Sequence, residues 1–139
     1  MINTRPMVMS DIDSLKLEFD WMKDRYRLYL ESQCGPAWIM EDENGPICAF
    51  GAAFQWDGVC EVWFNIARMV HTITQVRTIK RHLDEHEETY SVKRYWATIK
   101  CNFKSGKRLV EFLGFHLEGV MQKYHPDGSD SYLYAKIIR

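Results

Sequence analysis

Residue types able to carry chemistry are scattered thinly along this chain of 139 residues. His82 and His86 stand at i and i+4 of a helical stretch, the spacing of two zinc ligands on one helix face. Between them, however, Leu83-Asp84-Glu85 is not the metalloprotease pattern and no third ligand recommends itself, so both read as surface histidines and no metal is expected. Cys34, Cys48, Cys60 and Cys101 have no CxxC spacing and sit in apolar settings, where burial raises a thiol pKa. They read as reduced core residues, not nucleophiles. Glu61 lies in a strand whose alternation puts Val59, Trp63 and Asn65 on its own face. A carboxylate there is a paired or surface group, or a proton acceptor if that face lines a groove. Tyr124, Tyr132 and Tyr134 offer phenols but are more simply strand aromatics, and Arg68, Arg77, Lys80 and Arg81 offer charge either to a phosphate or to solvent.

The elements that must position these groups follow from pattern. Met1 to Met9 is a Pro-interrupted edge strand. Ser10 with Asp13 resembles a capping box, and Ile12, Leu15, Phe19, Met22, Tyr26 and Tyr29 then recur at spacings of three and four. This predicts one long helix, its stripe turned to the core, ended by Gly35-Pro36. Strands over Ala37 to Asp42, Ile47 to Trp56 and Val59 to Ile66 are joined by the hairpin signals Asn44-Gly45 and Asp57-Gly58. Gly51, inside the middle strand, predicts a close backbone approach or a bulge. Thr72 with Gln75 opens a helix whose stripe Ile73, Val76, Ile79 and Leu83 runs to about Thr89.

The last stretch is the most closely organised. Lys93 to Cys101 is a strand, Asn102 stops it, and Phe103, Gly106, Leu109, Val110 and Leu113 form a helical stripe capped by Gly114. Phe115 to Tyr124 and Tyr132 to Ile138 are strands about the turn His125-Pro126-Asp127-Gly128. Strands 59 to 66 and 93 to 101, joined by a helix, are expected to lie side by side and parallel.

That order, with Leu113-Gly114-Phe115-His116-Leu117-Glu118-Gly119-Val120, Tyr124-His125-Pro126-Asp127-Gly128 and Tyr132-Leu133-Tyr134-Ala135, resembles the C-terminal half of the GNAT superfamily of acyl-CoA-dependent N-acyltransferases. It looks closest to the small GNAT-like proteins of tailed bacteriophages and prophages, which carry Asn or Asp before Phe at the helix start and Gly three residues on, as Asn102-Phe103 and Gly106 do. The resemblance covers about a third of the chain. It implies an α/β fold with a mixed, mostly antiparallel sheet and flanking helices, in one domain over 1–139, and acetyl-CoA as cosubstrate. By the same resemblance the strand backbone of Phe64, Asn65 and Ile66 binds the pantetheine arm and polarises the thioester, Asn102 lies close to that arm, and Glu61 is the general base that keeps the amine neutral. The family's general-acid tyrosine position is Val110 here, which leaves Tyr124, Tyr132 or Tyr134 as substitutes and Tyr124 as the choice. One departure concerns the phosphates. The family's Gly-rich loop before the helix reads Ala67 to Arg77 here and contains no glycine, leaving Arg68 and Thr72 as the contacts that a pyrophosphate would find.

Composition bounds the rest. With 18 basic and 19 acidic residues the chain is no general polyanion binder, so nucleic acid is not expected as a partner. No apolar run approaches a membrane span and the N-terminus is no signal peptide, which predicts a soluble intracellular protein; the resemblance implies the cytoplasm of a bacterial host cell or a virion. The acceptor implied is a small-molecule or peptide amine. Homodimerisation and a place among phage structural proteins are the assemblies the resemblance suggests, and a non-catalytic GNAT-like protein of virion assembly, or an interaction module, is the rival to an enzyme.

Overall fold

The computed structural model describes residues 1–15, 17, 22–68, 70 and 72–139. In chain order the elements are β1 (Asn3–Pro6), α1 (Met9–Ser14), α2 (Met22–Glu31), β2 (Ala37–Asp42), β3 (Gly45–Trp56), β4 (Val59–Ile66), α3 (Ile73–Tyr90), β5 (Arg94–Lys100), α4 (Lys104–Phe112), β6 (His116–Met121) and β7 (Ser131–Ile137). They build a seven-stranded sheet in the order β1-β2-β3-β4-β5-β7-β6. Among the described residues β4 and β5 are the parallel neighbours, and the other pairs are antiparallel. This is the mixed, mostly antiparallel α/β architecture expected.

Both faces of the sheet are covered. Ile79 and Leu83 of α3 and Leu109 and Val110 of α4 pack with Phe50, Val62, Tyr95 and Tyr134 on one side. Ile12 of α1 and Tyr26 of α2 pack with Ile39, Ala49 and Trp63 on the other. The hairpin turns form where Asn-Gly and Asp-Gly stand, with Gly45 at φ 107° and Gly58 at φ 79°. Gly51 is a close approach and not a bulge, since a Cβ there would come within 2.6 Å of the Trp63 indole across the ladder. At the end of α4, Gly114 N–H donates to the Glu111 carbonyl and Phe115 N–H to the Val110 carbonyl, with Gly114 at φ 95°. That is a Schellman cap, as Leu113-Gly114-Phe115 leads one to expect.

Four expectations are corrected. The long first helix is two: α1 ends where Leu15 turns extended (ψ 131°), and α2 begins at Met22. The stripe misled because its apolar spacing stays in phase across the break, so Ile12, Leu15 and Tyr26 reach one cluster from two short helices. Phe19 of that stripe lies outside the described residues. The cap of α1 is also displaced, Asp11 accepting from the Val8 N–H at 2.8 Å while Arg5 holds the same carboxylate. The strand expected to run to Tyr124 ends at Met121, which leaves Tyr124 and His125 in the β6–β7 loop.

The fourth correction is His86, which is buried, not on the surface. It continues the inward stripe of Ile79 and Leu83, and its Nδ1 lies 2.7 Å from the Tyr95 hydroxyl, which itself donates to the Leu83 carbonyl. Burial lowers its pKa below the ordinary 6.5, so the folded state keeps it neutral. Below that pH the unfolded chain takes up a proton the folded chain refuses, and stability falls as pH falls, by up to about 1.4 kcal/mol per pH unit for such a group. Denaturant unfolding at neutral and mildly acid pH should show this loss, and His86→Phe should make it shallower. An unchanged pH dependence in the variant would contradict the assignment.

Candidate active site

The parallel ladder between β4 and β5 is short. It joins Val59 to Arg94, Cys60 to Tyr95 and Glu61 to Trp96, and then stops. Beyond Glu61, β4 stays paired with β3 as far as Ile66↔Cys48, while β5 stays paired with β7 as far as Lys100↔Ser131. Each strand follows its own antiparallel partner, and the sheet opens between them. A cleft forms where they part. Val62, Phe64 and Ile66 form its β4 wall; Thr98, Ile99 and Lys100 form its β5 wall. Phe103, Gly106 and Leu109 close one side, and Met22, Arg25 and Tyr26 of α2 the other. Gly106 is small because a Cβ there would meet the Phe103 ring at 2.7 Å.

Backbone direction along β4 is set by the antiparallel alternation. Ala67 N–H donates to the Ile47 carbonyl, so Ala67 and, two residues back, Asn65 turn their backbone groups to β3. Phe64 and Ile66 therefore turn theirs to the cleft. The Tyr26 hydroxyl, donating to the Phe64 carbonyl at 3.1 Å, reports the same direction. Of the strand residues expected to meet a pantetheine arm, Phe64 and Ile66 turn their backbone groups to the cleft and Asn65 turns its own to β3. Its side chain, 0% exposed, belongs to the Glu61–Trp63 face of the strand.

Glu61 sits where the strands part and is 4% exposed. Arg25 donates to both of its oxygens, at 2.7 and 2.5 Å, and the Tyr29 hydroxyl donates to one of them. Arg25 Nε also donates to the Tyr29 oxygen at 2.6 Å. Burial works against the Arg25 charge, but the Glu61 carboxylate with Tyr29 and Tyr124 together outweigh it, and the guanidinium pKa stays above its ordinary value. Burial, reinforced by the Glu61 charge, holds the Tyr29 phenol well above the usual tyrosine range. The network is thus a carboxylate, a permanent cation and a neutral phenol, fixed against the Trp63 ring that stacks on Tyr26 at 4.7 Å.

Tyr124, 39% exposed, lies within hydrogen-bond reach of Arg25. Next to it His125 lines the cleft, its ring edge-on to Tyr124 with centroids 5.2 Å apart. Burial and the nearby Lys100 and Arg25 cations, only partly opposed by Asp127, lower the His125 pKa below 6.5.

Three expected contacts lie apart from this cleft. Arg68 is tied to Asp42 at 2.5 Å and to the Gly45 and Pro46 carbonyls, closing the β2–β3 hairpin. Thr72 and Gln75 exchange the reciprocal bonds of a capping box, which occupies donors at the start of α3. Asn102 is exposed in the turn after β5, and Phe103 takes the N-cap position of α4. The side chains that pattern did not single out are Arg25, Lys100 and His125. Arg25 stands one turn before Tyr29 and flanks Tyr26, which was a usable signal; His125 read as a turn residue.

No three His, Cys, Asp or Glu side chains among the described residues converge to hold a metal ion, and none of the described helices is long and apolar enough to cross a membrane. The sequence matches no family model and no curated protein. Its structure is similar to that of an IAA acetyltransferase from Bacillus cereus ATCC 14579, with TM-score 0.79 and 14% identity over 99% of this chain and 100% of the other. It is similar too to a putative phosphinothricin N-acetyltransferase, with TM-score 0.75 and 15% identity over 100% and 99%. A ribosomal L7/L12 alpha-N-protein acetyltransferase in complex with coenzyme A gives TM-score 0.75 and 11% identity over 99% and 94%. At such identities the likeness establishes the fold: the chain has the fold of GNAT acetyltransferases over nearly its whole length.

Proposed function

We propose that this chain is an N-acetyltransferase that moves an acetyl group from acetyl-CoA to an amine in the cleft between β4 and β5. The observation that carries the reading is the separation of those strands after Glu61, which leaves the backbone of Phe64 and Ile66 turned toward the cleft. An extended pantetheine arm can add to β4 there as a further strand would. An N–H so placed also stabilises the oxyanion that forms when an amine attacks the thioester. Tyr124, beside Arg25, is placed to protonate the departing thiolate. Glu61 holds Arg25 and, through it, the shape of the cleft.

The donor is gripped by its arm more than by its phosphates. Arg68 is committed to Asp42, the start of α3 is occupied by the Thr72–Gln75 box, and the loop has no glycine to form a concave nest of N–H groups. The likeness of Asn102-Phe103 and Gly106 to phage-encoded proteins favours a single-domain enzyme working inside a bacterial host.

A thermal-shift titration with acetyl-CoA and with acetyl-pantetheine tests this. A ligand at a hundred times its dissociation constant stabilises the fold by about 2.7 kcal/mol. Both should shift the transition, with affinities within about tenfold, or about 1.4 kcal/mol, of each other. Silence from both would favour the rival reading, a non-catalytic protein that has kept the fold. A thousandfold preference for acetyl-CoA, about 4 kcal/mol, would show that the loop cradles phosphate after all.

A further inference from the structure

The geometry points to His125, and not Glu61, as the general base that removes the proton from the incoming ammonium. This rests on the reading of the β4–β5 cleft as an acetyl-transfer site. One observation separates the candidates. The Glu61 carboxylate is already engaged on both oxygens by Arg25 and on one by Tyr29, inside the network that shapes the cleft. His125 lines the same cleft as Glu61, on a loop that its own bonds hold in place. Its N–H donates to the Ser129 carbonyl at 3.2 Å and its carbonyl accepts from Gly128 N–H at 2.9 Å. Asp127 bridges that loop to β5 through Lys100 at 2.7 Å.

The charges around the imidazole favour the role. Lys100 of β5 and Arg25 of α2 face it as cations, Asp127 of its own loop opposes them in part, and Tyr124 packs against its ring. At neutral pH the ring is uncharged and able to accept a proton. The same cations lower the pKa of an ammonium beside them, which eases the transfer of its proton to His125 in the cleft. The steps balance. His125 takes one proton from R–NH₃⁺; the nitrogen lone pair forms the C–N bond at the thioester carbon; and the C–S bond breaks. The nitrogen sheds a second proton as it becomes an amide, which offsets the proton that the thiolate receives. One proton passes from His125 to solvent.

The test uses acetyl-CoA with two probe nucleophiles, benzylamine, which is an ammonium at neutral pH, and hydroxylamine, which is not. For H125Q, transfer to benzylamine should fall by about 10²–10⁴, the usual worth of a positioned base. Transfer to hydroxylamine should stay within about tenfold, a difference of about 1.4 kcal/mol. The acetyl-CoA thermal shift should match that of wild type, and H125N should behave alike. With wild type, kcat/KM for benzylamine should rise with pH on a limb that hydroxylamine lacks. Equal losses with both nucleophiles, or no loss, would overturn the assignment while leaving the acetyl-transfer reading standing. A wild type that binds acetyl-CoA but transfers to neither probe overturns it too, because a general base at this site must serve an unhindered amine. A wild type that fails to bind acetyl-CoA removes the reading on which it rests.

Discussion

Arg25→Ala is expected to lower the unfolding free energy by about 3 kcal/mol, the low end of the range for breaking a buried ion pair from one side. The reason is what remains behind. Glu61, 4% exposed, would lose its ion-pair partner and keep the Tyr29 hydroxyl as a donor, in a position that water scarcely reaches. The low end applies because the Arg25 side chain is itself 33% exposed, and solvent screens part of the attraction. Arg25→Leu combined with Glu61→Leu should recover most of the loss, since removing both partners leaves no stranded charge. Urea unfolding of the single and double variants measures this directly. A loss below about 1 kcal/mol for Arg25→Ala would place the pair among surface salt bridges and dissolve the network lining the cleft.

Gly35→Ala should be as damaging, for a steric reason. A Cβ at Gly35 would lie 1.8 Å from the Ala52 carbonyl oxygen and 2.9 Å from its carbon, both backbone atoms that cannot swing aside. Nor can the segment retreat, because it is laced to β3 on both sides: Phe54 N–H donates to the Cys34 carbonyl at 2.6 Å and Ala52 N–H to the Pro36 carbonyl at 3.0 Å. Relieving the clash means giving up such bonds, at about 1 kcal/mol each, and straining the turn by about 1–3 kcal/mol more. Gly45→Ala is the control. It has positive φ as well, at 107°, but nothing lies within 4 Å of its Cβ, so only conformational strain of about 1–2 kcal/mol applies. Similar melting temperatures for the two variants would mean that the contact at Gly35 is not as tight as described.

Local chemistry made much of the fold legible. Asn44-Gly45 and Asp57-Gly58 specify hairpins because the turns need positive φ, Thr72 and Gln75 satisfy each other within one helical turn, and Gly114 closes α4 in the one conformation that a glycine reaches cheaply. All these act within a few residues of each other. The break between α1 and α2 was not legible, because apolar spacing records which face is buried and not whether the helix is continuous. Asn102 marks the end of the strand, but the helix is entered one residue later, with Phe103 at its N-cap.

The site was legible in its backbone and obscure in its side chains. The strand order β4, α3, β5 carried the parallel pair and with it the cleft, and alternation then decides that Phe64 and Ile66 face it. Glu61 was identifiable as a carboxylate on the right strand, but its partner Arg25 is 36 residues away in sequence and no local pattern links them. His125 was hidden by its setting. In His-Pro-Asp-Gly it has every mark of a turn residue, and only the folding of the β6–β7 loop over β5 brings its ring to the cleft.

Titrating acetyl-CoA into nitrogen-labelled protein and following backbone amide resonances locates the donor residue by residue. If the thioester arm lies along β4, the Phe64 and Ile66 amides, which face the cleft, should shift most, with Asn65, turned to β3, moving far less. Saturable shifts confined to the start of α3, or no shift along β4 at all, would contradict the placement of acetyl transfer in this cleft.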